Sequence, residues 1–505
     1  MNSDESSRQA ATSGKAGDLA LKSGPGRWVL AVTVLGSGMA FLDGTVVNVA
    51  LPTIGRDLNA STASLQWILN GYTLALASLI LLGGSLGDRL GRRRIFVLGV
   101  SIFTVASLVC AISPTIEVLI LARVVQGVGG ALLTPGSLAI IESSFRAVDR
   151  PRAIGAWTGL TGVASAVGPL LGGFLVSAFS WRAVFLLNLP IGVAVVALAP
   201  RVPETRDPTA HGPLDIRGAV LGAISLAGIT YALIEGPAKG LSAGIVVTAA
   251  VGVGGFFAFL IAERRERNPI VPLGMFASRQ FTAANVVTFV VYAALGAFFF
   301  LSISFLQISL GYSPIGAGAA TLPVTILMLV LSARSGAWSQ RVGPRIPLTV
   351  GPLLIALGLL LLARVDPGDG YLGSVLPGVV ILGLGLTLVA SPVTATVLAA
   401  ADQRHAGIAS GINNAVARVA NLLAVAALPL VGDLGGHRFY EPAAMTHGFH
   451  VAMTVAAGLA GVGGVVAWLT ISDDALQAEP RRRGRAPVAV PAGHSCALAG
   501  PPPPR

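Results

Sequence analysis

Apolar residues in this chain gather into fourteen long runs separated by short polar stretches. Six runs lie at 28–52, 65–87, 95–112, 117–140, 153–176 and 183–199. Eight more follow at 216–236, 241–262, 282–308, 315–334, 346–363, 373–400, 407–431 and 447–471. A helix of about 20 residues crosses the hydrocarbon core of a bilayer, so each run predicts one membrane-spanning helix. Residues 1–27 carry Asp4, Glu5 and Asp18, and no A-x-A-like cleavage site follows the first run. That grammar is not a signal peptide's, and the first run is expected to stay as span 1.

Composition agrees with the spans. Of 505 residues, 53% are hydrophobic and only 11% charged, against about 25% charged in an ordinary soluble protein. A soluble enzyme, a secreted disulfide scaffold and a disordered chain are all excluded. The fold class expected is an all-α integral membrane protein in the cytoplasmic membrane. Cys110 and Cys496 are the only cysteines, too few and too far apart for a disulfide framework or a thiolate metal site.

The net charge of +11 reads as topology. With both termini inside, 27 of the 34 Lys and Arg fall on cytoplasmic segments, while Arg56, Arg182, Lys239, Arg364 and Arg438 fall outside. Arg123 and Arg418 lie within spans. Lysine and arginine gather on cytoplasmic loops, so the basic balance implies an oriented bilayer protein and no nucleic-acid partner. No phosphate-cradling Gly-x-x-x-x-Gly-Lys-Ser/Thr loop occurs, so no nucleotide is expected to drive this chain. No His/Asp cluster suggests a metal or hydrolytic chemistry, and neither an enzyme nor a cofactor is expected.

An internal repeat follows from two loops. Gly84, Arg89, Gly91 and Arg93 after span 2 recur as Gly336, Arg341, Gly343 and Arg345 after span 10, at a constant offset of 252 residues. Spans 1–6 thus map onto spans 9–14, with spans 7 and 8 inserted. The layout expected is a cytoplasmic tail at 1–27, a six-helix bundle at 28–199, an inserted pair with linkers at 200–281, a second six-helix bundle at 282–471 and a disordered cytoplasmic tail at 472–505. Two repeats with a path between them are a transporter architecture.

Asp43 is the only acid deep inside a span, and an intramembrane carboxylate marks function by default. It lies nine residues before Pro52, roughly 13 Å from the outer end, and Arg123 lies roughly 9 Å below Glu117 at 1.5 Å per residue. The two charges therefore share a depth. Two readings stay open: Asp43 exchanges a proton that Arg123 tunes, or the two form a permanent buried pair.

Four motifs in order carry a family resemblance. Gly84-x-Leu86-x-Asp88-Arg89-x-Gly91-Arg92-Arg93 is similar to the signature between helices 2 and 3 of the major facilitator superfamily. Arg123-x-x-Gln126-Gly127-x-Gly129-Gly130 resembles its helix-4 motif. Gly162 with Gly168-Pro169-Leu170-Leu171-Gly172-Gly173 resembles the helix-5 antiporter motif. The stretch from Leu42 to Pro52 resembles helix 1 of the fourteen-helix drug:proton antiporters.

The resemblance implies a proton-coupled antiporter, monomeric, exporting small amphipathic drugs or antibiotics by alternating access, with the proton gradient as its energy source. It implies proton coupling at Asp43 and Arg123, and gating by Gly84, Asp88, Arg89, Gly91, Arg92, Arg93 and Glu142. Asp88 is expected to cap the start of span 13 near Ala406–Gly411, and Glu142 to pair with Arg92 or Arg93. Gly162, Gly168, Pro169, Gly172 and Gly173 are expected to let helices close on one another. Candidate cavity groups are Asn48, Trp67, Asn70, Tyr72, Gln126, Asn285, Tyr292, Gln307, Asn413, Asn414 and Arg418. Relatives that export multivalent cations carry extra acids in the later helices. Spans 10 and 13 here have none, which favours monovalent, zwitterionic, neutral or anionic amphiphiles. The same-class alternative is a facilitator-fold carrier of a metabolite with symport or uniport coupling.

Overall fold

A computed structural model describes residues 17, 19–207, 214–240, 242–266, 269–401 and 406–473. Most of both expected tails, including Cys496 and Arg481–Arg485, lies outside the described residues, as do His211, Arg404, His405 and His494. Among the described residues, fourteen helices are long and apolar enough to cross a membrane. They are α1 Gly24–Asp57, α2 Thr62–Leu90, α3 Arg92–Ala111, α4 Ile116–Ser144, α5 Arg150–Ala178, α6 Arg182–Arg201 and α7 Ile216–Pro237. The second half comprises α8 Ala243–Arg265, α9 Arg279–Ile308, α10 Pro314–Val342, α11 Arg345–Leu362, α12 Tyr371–Ala399, α13 Gly407–Val431 and α14 Pro442–Thr470.

Several helices outrun their apolar stretches because polar caps set their ends. The Ser23 hydroxyl accepts from the Gly26 amide at 3.1 Å, so α1 starts four residues before its apolar run. Ser61 does the same for α2 through the Ser64 amide. A side-chain oxygen at this position satisfies one of the free amides of the first turn. Other spans are interrupted. α6 is built from Arg182–Leu186, Asn188–Leu198 and a 3₁₀ turn Ala199–Arg201. Pro190 has no N–H for the carbonyl one turn earlier, which breaks the helix just before it.

Twelve of the helices form two equivalent lobes of six. In the first, α2 and α3 pack on α4, α1 on α5, and α6 on both α1 and α3. In the second, α10 and α11 pack on α12, α9 on α13, and α14 on both α9 and α11. Each pair in one lobe has its counterpart eight helices later. The lobes meet through α2 with α13, α5 with α10, and α1 with α9, a set that exchange of the lobes leaves unchanged. The repeat also recurs in detail. Gly91 and Gly343 both have positive φ, at +118° and +88°. The amide two residues on donates to an acid after each lobe's sixth helix: Arg93 to Glu204 at 3.0 Å and Arg345 to Asp473 at 3.1 Å.

The inserted α7 lies against α2 and α13, touching both lobes, while α8 packs on α7. Val246, Val247, Phe256, Phe257 and Ile261 on α8 are exposed, an apolar surface that fits lipid. Close helix crossings rest on glycine. A Cβ on Gly129 of α4 would stand 2.6 Å from the Phe103 amide and 2.8 Å from the Gly99 carbonyl of α3. Gly129→Ala is therefore expected to lower stability by about 1–3 kcal/mol, the usual cost of overpacking, read as a fall in the thermal unfolding midpoint in detergent. Gly162→Ala, whose Cβ meets nothing within 4 Å, is expected to leave that midpoint near wild type.

Candidate functional site

Asp43 and Arg123 are each 1% exposed and face one another inside the first lobe. Arg123 Nη1 donates to Asp43 Oδ2 at 2.5 Å. The other carboxylate oxygen accepts from Gln126 Nε2 and from Asn188 Nδ2, both at 3.0 Å. Arg123 also donates through Nε to the Ile68 carbonyl at 3.0 Å and through Nη1 to Gln126 Oε1 at 2.7 Å. Its guanidinium lies over the Tyr72 ring, 4.4 Å from the centroid. Ser107 closes the network: it accepts from Asn188 at 2.9 Å and Gln126 at 3.3 Å, and donates to the Phe185 carbonyl at 3.0 Å. The carboxylate thus takes donors from α4 and α6, and its partners are steadied from α2 and α3. Both carboxylate oxygens are bonded, one of them to a full positive charge.

Asn188 and Ser107 were not among the candidate residues. Asn188 was hidden in a run read as continuous helix; its only signal was a lone amide two positions before Pro190 in an apolar span. The pair is enclosed by its own lobe, one ring away from the seam between lobes: Tyr72, beneath Arg123, is also an electrostatic neighbour of Arg418 on α13.

The loop between α2 and α3 makes different contacts from those expected. Asp88 is taken by Arg92, one turn on, at 2.8 Å, and among the described residues no hydrogen bond joins it to α13. Glu142 forms no ion pair among the described residues. Arg93 and Arg94 instead face Glu204, at 3.7 and 3.8 Å, and Arg93 Nη1 donates to the Val202 carbonyl at 2.8 Å. Further bonds run from the Arg92 amide to Thr205 O and from the Asp207 amide to Asp88 O, both at 2.9 Å. The loop therefore grips residues 202–207, the start of the linker to α7. Linker acids carry no helical periodicity, so Glu204 left no pattern to read. Gly84 lies in ordinary contact with Pro135 of α4.

The helix-5 motif divides in two. Gly168 and Gly172 lie on α1, against Thr45 and Val46, and Gly173 lies on the backbone of α10 at Ile315. Gly318 of α10 in turn meets the Pro169 carbonyl. Gly162, with Gly155 and Gly159, has open space beside it and joins no such contact.

These glycine contacts belong to a closure at the face opposite the described ends of the chain. Gln66 Nε2 of α2 donates to the Val425 and Ala426 carbonyls of α13, at 2.7 and 3.0 Å. Thr62 donates to the Gly436 carbonyl at 3.0 Å, Tyr440 to Ala60 O at 2.7 Å, and Gln307 to Val49 O at 3.1 Å.

Several candidate cavity groups prove to be interhelical contacts. Trp67 donates to Glu235 of α7 at 2.9 Å and lies near the Tyr231 ring, so it docks the inserted helix. Asn413 donates to Asn285 and Thr288, tying α13 to α9. Gln126 belongs to the Asp43 network and Gln307 to the far-face closure. Asn70 is buried and its Nδ2 has no partner among the described residues. Asn48 and Asn414 bond back to their own helices at Gly44 and Ser410. Tyr292 and Arg418 are half-buried. At the terminal face Asp149 accepts from Arg146 at 2.6 Å, which holds its carboxyl below the usual range, and from the Leu21 amide at 3.3 Å.

Two repeated six-helix lobes, with a charged pair buried inside the first, have the two-lobe architecture seen in transporters. Residues 33–425 match the model of the Major Facilitator Superfamily, and the chain belongs to that superfamily. It is 36% identical over 466 residues to the methylenomycin A resistance protein of Streptomyces coelicolor, covering 91% of this chain and 94% of that one. It is 33% identical to the multidrug efflux pump LfrA of Mycolicibacterium smegmatis, covering 79% and 80%. Among solved structures, a peptide transporter POT in complex with sulfate shares the fold with a TM-score of 0.65 at 16% identity, covering 92% of this chain and 97% of that one.

Asn188→Leu removes one donor from the Asp43 carboxylate. A hydrogen bond to a charged group is worth about 1.5–3 kcal/mol, so the thermal unfolding midpoint is expected to fall. In an Asp43→Asn background the same substitution is expected to cost markedly less, a coupling that a double-mutant cycle reads directly.

Proposed function

We propose that this protein is a proton-coupled antiporter that exports small amphipathic drugs or antibiotics across the cytoplasmic membrane by alternating access, with both termini in the cytoplasm. The observation that carries the reading is the Asp43 carboxylate, buried from lipid and water and bonded by donors on separate helices. Relatives named for antibiotic resistance and drug efflux over most of their length support the export direction. The arginine bias of the loops supports the orientation.

In that reading the present arrangement, closed at the far face, is the inward-facing state after proton release. Asp43 is charged and paired, and the substrate path faces the cytoplasm. Opening the far face shifts α1 against α4 and α6, and lengthens the bonds from Arg123, Gln126 and Asn188. A carboxylate that loses such donors in low dielectric takes a proton. Arg123 keeps its bonds to Ile68 O and Gln126 and its seat on Tyr72 meanwhile, so the cation is never stranded. Proton entry from outside and release inside then return the protein to the paired state.

The test is transport into inverted membrane vesicles bearing an imposed pH gradient, with a panel of amphipathic antibiotics. Wild type is expected to accumulate at least one of them as the gradient is raised. Asp43→Asn, which cannot carry the proton, is expected to lose gradient-driven accumulation by at least about tenfold, roughly 1.4 kcal/mol of coupling. Asp43→Asn transport with the wild-type dependence on the gradient would overturn the proton role.

A further inference from the structure

Tyr72 stands between two arginines, and only one of them is neutralised. Arg123 has the Asp43 carboxylate, a backbone carbonyl, an amide oxygen and the Tyr72 ring. Arg418, across the seam on α13, has no carboxylate, carbonyl or amide oxygen as partner among the described residues. Its Nε is buried and has no hydrogen-bond partner, and among the described residues the side chain makes no ion pair. Tyr72 of the first lobe and Tyr292 of the second lie near enough to feel its charge, and no carboxylate stands with them. The residue nevertheless keeps part of its surface open, and Asn414, one turn nearer the terminal face, is exposed.

Twelve residues separate Arg418 from the start of its helix at Ala406, which places it roughly 18 Å along the axis, near the middle of the bilayer. A cation at that depth without a counter-charge is costly, and such residues mark substrate or ion pathways. Arginine presents a planar fork that matches a carboxylate with two parallel bonds. The two tyrosines beside it supply flat, partly apolar surfaces for an aromatic body.

We propose that Arg418 is the anchor for a negatively charged group on the substrate, so that the site takes aromatic amphiphiles bearing a carboxylate or an equally acidic group. The proposal rests on the exporter reading and narrows it to a substrate class. Bound between Tyr72 and Tyr292, the anion supplies the charge that Arg418 lacks and bridges the two lobes at the seam. Arg123, already matched by Asp43, does not compete for it. Tyr72, which lies under Arg123 and near Arg418, also places the substrate's charge one ring from the proton site.

Equilibrium binding of naphthaleneacetate and of neutral naphthaleneacetamide to the purified full-length protein, without any gradient, tests the proposal. Wild type is expected to bind the acid at least about tenfold more tightly than the amide. Arg418→Gln is expected to erase that preference, and Arg418→Lys, which restores the charge without the fork, to recover part of it. Size-exclusion elution and unfolding midpoint confirm that each variant is folded. Equal binding of acid and amide by wild type, or an undiminished preference in folded Arg418→Gln, would overturn the proposal. Acid binding through Arg418 in a protein that shows no gradient-driven transport would uphold the anion site and overturn the exporter reading, so the two failures are distinct.

Discussion

A carboxylate and a guanidinium held face to face in hydrocarbon organise the first lobe. Neither is stable there alone: removing one partner of a buried pair typically costs about 3–5 kcal/mol, because the other charge is left uncompensated. The first lobe is arranged around that requirement. α4 brings Arg123 and Gln126 on one face, α1 brings Asp43, the break in α6 turns Asn188 inward, and α3 supplies Ser107 to hold both amides. The glycines of α4 that follow Arg123 let α2 and α3 come close enough for these side chains to meet. Charge compensation and close packing are thus one constraint expressed twice.

The two lobes treat the seam differently. The second lobe repeats the packing of the first helix by helix, down to the acid that accepts the amide beyond each loop glycine. It does not repeat the charge pair, and at the seam it presents Arg418 with no acid. In the proposed cycle this asymmetry divides the labour. The first lobe stores the proton, the second reads the substrate, and the Tyr72 ring lies between them. The far-face closure rests on side-chain donors to backbone carbonyls at Gln66, Thr62, Tyr440 and Gln307, and on glycine contacts between α5 and α10. Such bonds break and remake without unfolding a helix.

Much of the fold was legible because a bilayer imposes one strong rule, a long apolar run for each crossing. Span number and the pairing of loops at Gly91 and Gly343 came from that rule and from the repeat. The shared depth of Asp43 and Arg123 followed from helical rise alone. What could not be read was how polar groups inside the spans are used. Trp67, Gln126, Asn285 and Asn413 have the composition of a cavity lining, yet each satisfies a neighbouring helix, since a polar group in hydrocarbon takes whatever partner is within reach. Asn188 and Glu204 were missed for the opposite reason: one sits at a break that the hydropathy pattern smooths over, the other in a linker with no period. Asp88 and Glu142 lie on an exposed rim, where sequence fixes the charge but not the partner.

In the proposed cycle the charge on Asp43 is tied to the arrangement of the two lobes. Infrared difference spectroscopy on purified protein reads it most directly, through the protonated-carboxyl band that Asp43→Asn removes. A reversible lock is available across the far face, where Thr62 meets the Gly436 carbonyl, by a short disulfide-containing cross-linker joining Ala63→Cys to Gly435→Cys, whose backbone is extended with negative φ. In the locked protein the band is expected to stay absent at mildly acidic pH, and to appear once the cross-link is reduced. A band of equal strength in the locked and released protein, or none in either, would contradict that cycle.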